Sequence, residues 1–265
     1  MRILLYLVLA SQFLLSAVYY AKVEPYKLQK LSSNVSGEVL FIDEDFIGKK
    51  LTNKPFIIID SKIDRAELYD VEKKLKSLKD TLKLNKKVLQ NLSAVLKKKK
   101  ANFIRTEALK IKSRIDKDRE FYDLVSSENA FISTQKEVNS LKNSVADLEL
   151  RRIELQKSIH DKKVSAKGYL LYSINVKEGE VVNLSKPLAE VADISKALLT
   201  IYVDADELEN IDKKVIFIND KKTNYKPLRV LKIADSVNIS KYKVQIAIDA
   251  PEIFSKLAKV ELRGK

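Results

Sequence analysis

The chain has no cysteine, one histidine and one methionine, and only five glycines and five prolines among 265 residues. Without cysteine there is no disulfide scaffold, no thiolate metal site, no thiol nucleophile and no diacylglyceryl anchor. A single histidine, His160, leaves nothing for a multi-histidine metal centre or a histidine-based active site. These absences argue against an enzyme. What the chain does have is charge and aliphatic bulk: Lys+Arg 50 against Asp+Glu 36, a formal net charge of +14, and 45% hydrophobic residues. That hydrophobic content belongs to a chain that folds, so wholesale disorder is excluded too.

Residues 3–21 read ILLYLVLASQFLLSAVYYA, apolar apart from two serines and Gln12. As a helix this run would measure roughly 28 Å, close to the ~30 Å hydrocarbon core of a bilayer. Signal-peptide cleavage after Ala21 or Ala17 would put Tyr19 or Leu15 where a small residue is wanted, so residues 1–21 read as an uncleaved membrane anchor rather than a signal peptide. Either reading exports the rest of the chain. Outside the cytoplasm, a charge of +14 does not point first to nucleic acid. The lysines are spread along helical faces with acids at helical spacing, as in Asp70–Lys74, Glu72–Lys76 and Asp147–Arg151. Four consecutive lysines at 97–100 have no interleaved aromatics to stack on bases and read as a solvated helix face. No nucleic-acid partner is expected.

Glycine and proline punctuate everything except the middle. No glycine occurs between Gly48 and Gly168, and no proline between Pro55 and Pro187. Inside that gap Leu68, Val71, Leu75, Leu78, Leu82, Leu89, Leu92, Leu96 and Phe103 follow steps of three and four, with Asn85 and Lys99 on the missing beats. Leu124, Phe131, Val138, Leu141, Val145, Leu148, Leu155 and Ile159 continue the pattern, with Ser127, Thr134 and Arg152 as off-beats. Sustained heptads with charged flanks predict a coiled coil over 61–163. Near Lys112 the sequence KSRIDKD breaks the rhythm, and Asp116 is a candidate N-cap for a second helix. Two helices of just under ~50 residues would each reach about 70 Å.

The flanks resemble one another. Gly37 aligns with Gly168, Lys54-Pro55 with Lys186-Pro187, and Asp60 with Asp193, with turns at Gly48 and at Glu178-Gly179. Each flank reads as short β segments, 35–60 and 164–195, that form one β domain split by the helices. Only a hairpin can begin and end at the same place, so the helices should fold back on each other. From residue 196 the period is two: Leu199, Ile201, Val203; then Val215, Phe217; Leu228, Val230; Val244, Ile246, Ile248; Val260, Leu262. With a short acidic helix near 204–210, residues 196–265 predict a small antiparallel barrel. Residues 22–34 read as a linker.

This order of parts resembles the periplasmic adaptor, or membrane fusion, proteins of Gram-negative tripartite pumps, the HlyD-like family. GYLLYSINVKEGEVVNLSKPLAEVAD is similar to the family's second lipoyl half, and VDADELENI to the start of its barrel, although Lys213-Lys214 stand where a glycine is usual. The resemblance implies an α+β fold: a long antiparallel α-helical coiled-coil hairpin inserted in a split lipoyl-like β-sandwich, followed by a small antiparallel β-barrel. Adaptors that dock on TolC-type channels carry at the hairpin tip an Arg, a Leu four residues on, and a Ser or Thr seven beyond that. Here those places hold Arg105, Leu109 and Asp116, the last a departure that can still accept backbone hydrogen bonds.

The resemblance further implies an inner-membrane transporter as partner, of the resistance-nodulation-division (RND) type in preference to an ATP-driven (ABC) one. It also implies an outer-membrane TolC-type channel, self-association into a trimeric or hexameric ring, and a place in the Gram-negative periplasm. The coiled coil occupies the place of a lipoyl-acceptor hairpin, so no cofactor is expected. The alternative is a membrane-anchored envelope scaffold or signalling protein with no transport role.

Overall fold

The heptad rows fold as two long helices, α1 (Lys62–Ala108, 47 residues) and α2 (Arg114–Asp161, 48 residues), packed antiparallel. The computed structural model describes residues 17–234 and 240–264. It divides into two units, one of Met1–Ile58 with Val164–Lys265 and the other of Ile59–Lys163. Within the two helices every buried side chain lies on the expected rows: Val71, Leu75 and Leu96 from α1, Val138, Val145 and Leu155 from α2. Asn85, Lys99, Ser127, Thr134 and Arg152 are half-buried on the same inner faces. The rhythm therefore continues through the polar beats.

The ion pairs depart from expectation. Among the described residues the pairs Asp70–Lys74, Glu72–Lys76 and Asp147–Arg151 do not form. Arg151 instead reaches Glu67 across the hairpin at 2.6 Å, and Lys79 reaches Glu149 at 2.6 Å. Two members of the lysine run are likewise not simply solvated, since Lys99 pairs with Asp123 at 2.6 Å and Lys100 with Glu128 at 3.1 Å. Pairing along one exposed helix contributes only about 0.3–0.5 kcal/mol, so long side chains are readily drawn across the groove between helices.

In the other unit the strands are β1 (Ala17–Ser32), β2 (Gly37–Ile42), β3 (Ile57–Ile59), β4 (Lys163–Val164), β5 (Leu170–Ile174), β6 (Val181–Val182), β7 (Pro187–Val203), β8 (Val215–Ile218), β9 (Lys221–Lys222), β10 (Pro227–Ala234), β11 (Tyr242–Asp249) and β12 (Leu257–Arg263), with a one-turn helix α3 (Ala205–Leu208). A small sheet has the order β4-β3-β2-β6, and a larger one the order β10-β11-β7-β1-β12-β8-β9 with β5 also on β7. The expected closed barrel is not formed. No pairing joins β10 to β9 among the described residues, so the large sheet keeps two edges. Closure demands that first and last strands pair, and here β9 is only two residues long.

The two longest strands, β1 and β7 of 16 and 17 residues, hold the large sheet together. β7 pairs with β5 over its first residues, with β1 along most of its length, and with β11 over its last. The expected boundary between 195 and 196 thus falls inside a continuous strand. β1 corrects a second expectation: Ala17 to Ala21, taken as the end of an anchor helix, and most of the 22–34 linker are strand, paired first to β12 and then to β7. The reason is visible in burial. Ala21 and Val23 are buried while Val18, Tyr20, Lys22 and Glu24 are exposed, a two-residue alternation that an unbroken apolar run conceals.

The rest of the expected anchor lies outside the described residues. Among the described residues no helix is long and apolar enough to cross a membrane.

The paired flanks interlock as the split requires. Glu38 and Gly37 of β2 pair with Val181 and Val182, and Ile47 and Lys50 bridge to Leu171 and Leu170. Asp60 and Asp193, aligned by sequence, do the same local job, each carboxylate accepting the amide two residues on, from Lys62 at 2.8 Å and Ser195 at 2.9 Å. Gly37 and Gly168 do not correspond: Gly37 is extended within β2, whereas Gly168 turns with φ +91°. The turns at Gly48 and Gly179 do need glycine, with φ +76° and +77°.

The core of the large sheet gathers Ala21, Val23, Leu199, Ile201, Val203, Val244, Ile246, Val260 and Leu262 with Ile216, so in β8 the buried residue is one place over from the Val215–Phe217 parity read from sequence. Phe217 instead carries the Arg263 guanidinium over its ring at 4.1 Å.

If β1 completes this core, a chain starting at Ala17 should keep its unfolding midpoint. A chain starting at Val23 should lose at least about 2 kcal/mol in urea denaturation, because it gives up the β12 ladder and the buried Ala21. Equal midpoints would remove β1 residues 17–22 from the folded core.

Candidate functional site

The hairpin tip is built by how one helix stops and the next starts. α1 ends at Ala108; its cap, Leu109, turns to extended backbone while its amide donates to the Thr106 carbonyl at 3.2 Å. α2 starts at Arg114, with Ser113 as N-cap. The Ser113 hydroxyl accepts the Asp116 amide at 3.1 Å and donates to the Asp116 carboxylate at 2.8 Å. Asp116 is therefore not the cap expected from sequence but the third residue of α2. The signal that identifies Ser113 is Ser-x-x-Asp, the spacing of a capping box, with a negative side chain in the first turn where the helix dipole favours it. The hydrogen bond from Ser113 holds the Asp116 carboxyl below its ordinary range against opposing desolvation, with Lys112 and Arg119 adding to the hydrogen bond.

Lys117 locks the two helices together by donating from Nζ to the Glu107 carbonyl at 2.8 Å, one of the carbonyls that the end of α1 leaves without a helical partner. Phe103 and Phe121 close the last layer with ring centroids 5.9 Å apart. Arg105 lies back on its own helix, its Nε on the Ala101 carbonyl at 3.3 Å and its second terminal nitrogen on the Asn102 side chain at 2.8 Å. Leu109 is 44% exposed. The three residues singled out from sequence thus share one end of the hairpin, with Arg105 and Asp116 already engaged by neighbours. Sequence reasoning missed the apolar residues most exposed there: Ile104, Ile111, Ile115 and Tyr122.

The site offers shape, charge and apolar surface rather than bond-making groups. Among the described residues no group of three His, Cys, Asp or Glu side chains is placed to hold a metal ion. His160 sits in the last turn of α2, at the opposite end of the hairpin from the tip.

A helical hairpin set between two interlocked β segments is the fold of the membrane fusion, or periplasmic adaptor, proteins, and solved structures match it along almost the whole chain. MacA from Actinobacillus actinomycetemcomitans superposes with a TM-score of 0.71 at 15% identity, covering 93% of this chain and 78% of that one. The membrane fusion protein Spr0693 from Streptococcus pneumoniae R6 gives 0.63 at 12% identity over 94% and 100% of the two chains. A MacA-MexA chimera containing the Pseudomonas aeruginosa MexA α-hairpin domain gives 0.61 at 15% identity, over 94% and 82%. At such identities the likeness is one of fold. No protein-family model matches the sequence, and no curated protein matches it in sequence.

Two changes test the tip. Ser113→Ala should cost about 1 kcal/mol of hairpin stability by removing the cap, read from the thermal midpoint of the helical circular dichroism. Asp116 supplies a pH dependence. Its folded pKa lies below its unfolded one, so its contribution is present at neutral pH and down to the ordinary Asp range, and is lost as pH falls through the folded value. Asp116→Asn should remove that acid-limb loss, and an unchanged acid limb would remove Asp116 from the cap.

Proposed function

We propose that this chain is the adaptor subunit of an efflux or secretion system in the Gram-negative envelope. It would join an inner-membrane transporter to a TolC-type outer-membrane channel through its hairpin tip. The observation that carries the reading is the hairpin inserted between two β segments that bond to each other, in a fold shared with MacA over 93% of this chain. Residues 35–60 and 164–195 serve as lipoyl-like halves and residues 196–265 as the β domain, packing against further copies around a conduit. An RND-type pump is the favoured inner partner, and the apolar N-terminus delivers the chain to the envelope.

The work is mechanical. A helix of 47 residues spans about 70 Å, so residue count sets the reach of the tip. Packed heptads and cross-hairpin ion pairs set its stiffness. Arg105 would give up its bonds to Ala101 and Asn102 for a carbonyl or carboxylate of the channel, and Leu109 would add apolar contact.

The native chain lacks cysteine, so Ala108→Cys gives a unique, exposed attachment point for a photo-cross-linker in intact cells. Mass spectrometry should identify an outer-membrane channel in the adduct. Arg105→Glu and Leu109→Asp should each lower export at least about tenfold while helical circular dichroism stays unchanged. Adducts containing only copies of the chain, together with normal export by both variants, would point to an envelope scaffold.

A further inference from the structure

The chain between α1 and α2 reads Leu109-Lys110-Ile111-Lys112-Ser113, and Arg114-Ile115 carries the alternation of apolar and basic residues into the first turn of α2. Ile111 is 92% exposed and Ile115 73%, well beyond Leu109. These isoleucines lie past the last heptad layer, which Phe103 and Phe121 close, so the hairpin core has no use for them. Their charged neighbours divide into committed and uncommitted groups. Asp116 is taken by Ser113, and Lys117 by the Glu107 carbonyl. No ion pair joins Lys110, Lys112 or Arg114 to a carboxylate among the described residues. Across residues 105–119 the six cations Arg105, Lys110, Lys112, Arg114, Lys117 and Arg119 face the three carboxylates Glu107, Asp116 and Asp118, a net charge of +3.

Resting on the adaptor reading above, we infer that Ile111 and Ile115 are the apolar anchors of the tip, and that the surface receiving them is a protein hollow ringed by carboxylates. An apolar centre inside a charged rim is how a protein docking surface is built. The rim charge chooses the partner: three unpaired cations around two isoleucines complement acidic side chains around an apolar depression. The turn is also set before contact, by the Ser113–Asp116 cap and the Lys117 strap. A fixed shape favours a complementary hollow, whereas a lipid surface rewards only charge and apolar area. The three interspersed carboxylates would weaken adhesion to anionic headgroups.

The test uses the full-length chain with Ile111→Cys carrying a photo-cross-linker in intact cells, alone and together with Lys110→Glu, Lys112→Glu and Arg114→Glu. The expected result is a protein adduct whose cross-linked peptide contains Asp or Glu, with a yield that falls about tenfold on charge reversal while helical circular dichroism is retained. A yield indifferent to charge reversal overturns the carboxylate rim. Capture of a channel from Ala108→Cys but not from Ile111→Cys overturns the isoleucine anchors and leaves the adaptor reading standing. A third outcome overturns both: no protein adduct from either position, while vesicles of equal parts phosphatidylcholine and phosphatidylglycerol retain the chain unless the three cations are reversed.

Discussion

The closure of the chain on itself at the base of the hairpin is the constraint that the rest depends on. A helical insertion can divide a β unit without destroying it only if its two ends return to one place. In the helical unit that return is made by the Ile59 amide, which donates to the Lys162 carbonyl at 2.8 Å, and by the ion pair of Lys162 with Asp64. In the β unit it is made by the Phe56 amide on the Val164 carbonyl at 3.0 Å. Lys162 is buried, so its ammonium has little water to fall back on. Removing one partner of a largely buried pair leaves the other charge without compensation, which costs more than a surface pair contributes. An unmatched ion there would be felt at the one point where both helices are pinned.

From that pin outward, the helices were the most legible part of the sequence. Their signal is long-range and redundant: many beats of one period, so that polar residues such as Asn85 and Thr134 do not obscure it and are themselves placed on the inner face. The polar beats have a physical use. Purely apolar rows leave two antiparallel helices free to slip by a heptad, whereas a charge such as Lys99, met by Asp123, fits one register only. Arg152, whose Nε is buried without a partner, is the beat for which the packing offers no such account.

The β part was legible strand by strand but not as a sheet. Alternation identified the second half of β7, β11 and β12 and assigned buried residues such as Leu199, Ile201, Val203, Val244, Ile246, Val260 and Leu262, because a period of two is a local signal. Which strand lies beside which is not local. β1 was hidden because an apolar run announces a membrane segment more loudly than Ala21 and Val23 announce one face of a strand. Once β1 is recognised, the large sheet makes sense. It lies between β12 and β7, tying the start of the chain to its end and to the second flank. The boundary expected at 195 lies within β7, a strand of 17 residues that serves two neighbourhoods at once.

At the tip the sequence singled out residues that the fold gathers at one end of the hairpin, without showing which of their polar groups are engaged. Arg105, Leu109 and Asp116 were singled out by resemblance, and they lie at one end of the hairpin, on the last turn of α1, its cap and the first turn of α2. What one-dimensional spacing cannot show is which polar groups are already spent. Asp116 is spent on Ser113, and Arg105 on Ala101 and Asn102. Those bonds hold a turn that faces water at low net cost, since each is a modest exchange of water for protein. The side chains left over, Lys110, Ile111, Lys112, Arg114 and Ile115, make no ion pair among the described residues and close no core layer, although the Lys112 charge helps to hold Asp116 ionised. A short turn needs neither three unpaired cations nor two exposed isoleucines, and Ser and Gly would make it with less exposed apolar area. The division of labour at the tip follows from this: one set of residues makes the shape, and a different, interleaved set is free to meet whatever the shape fits.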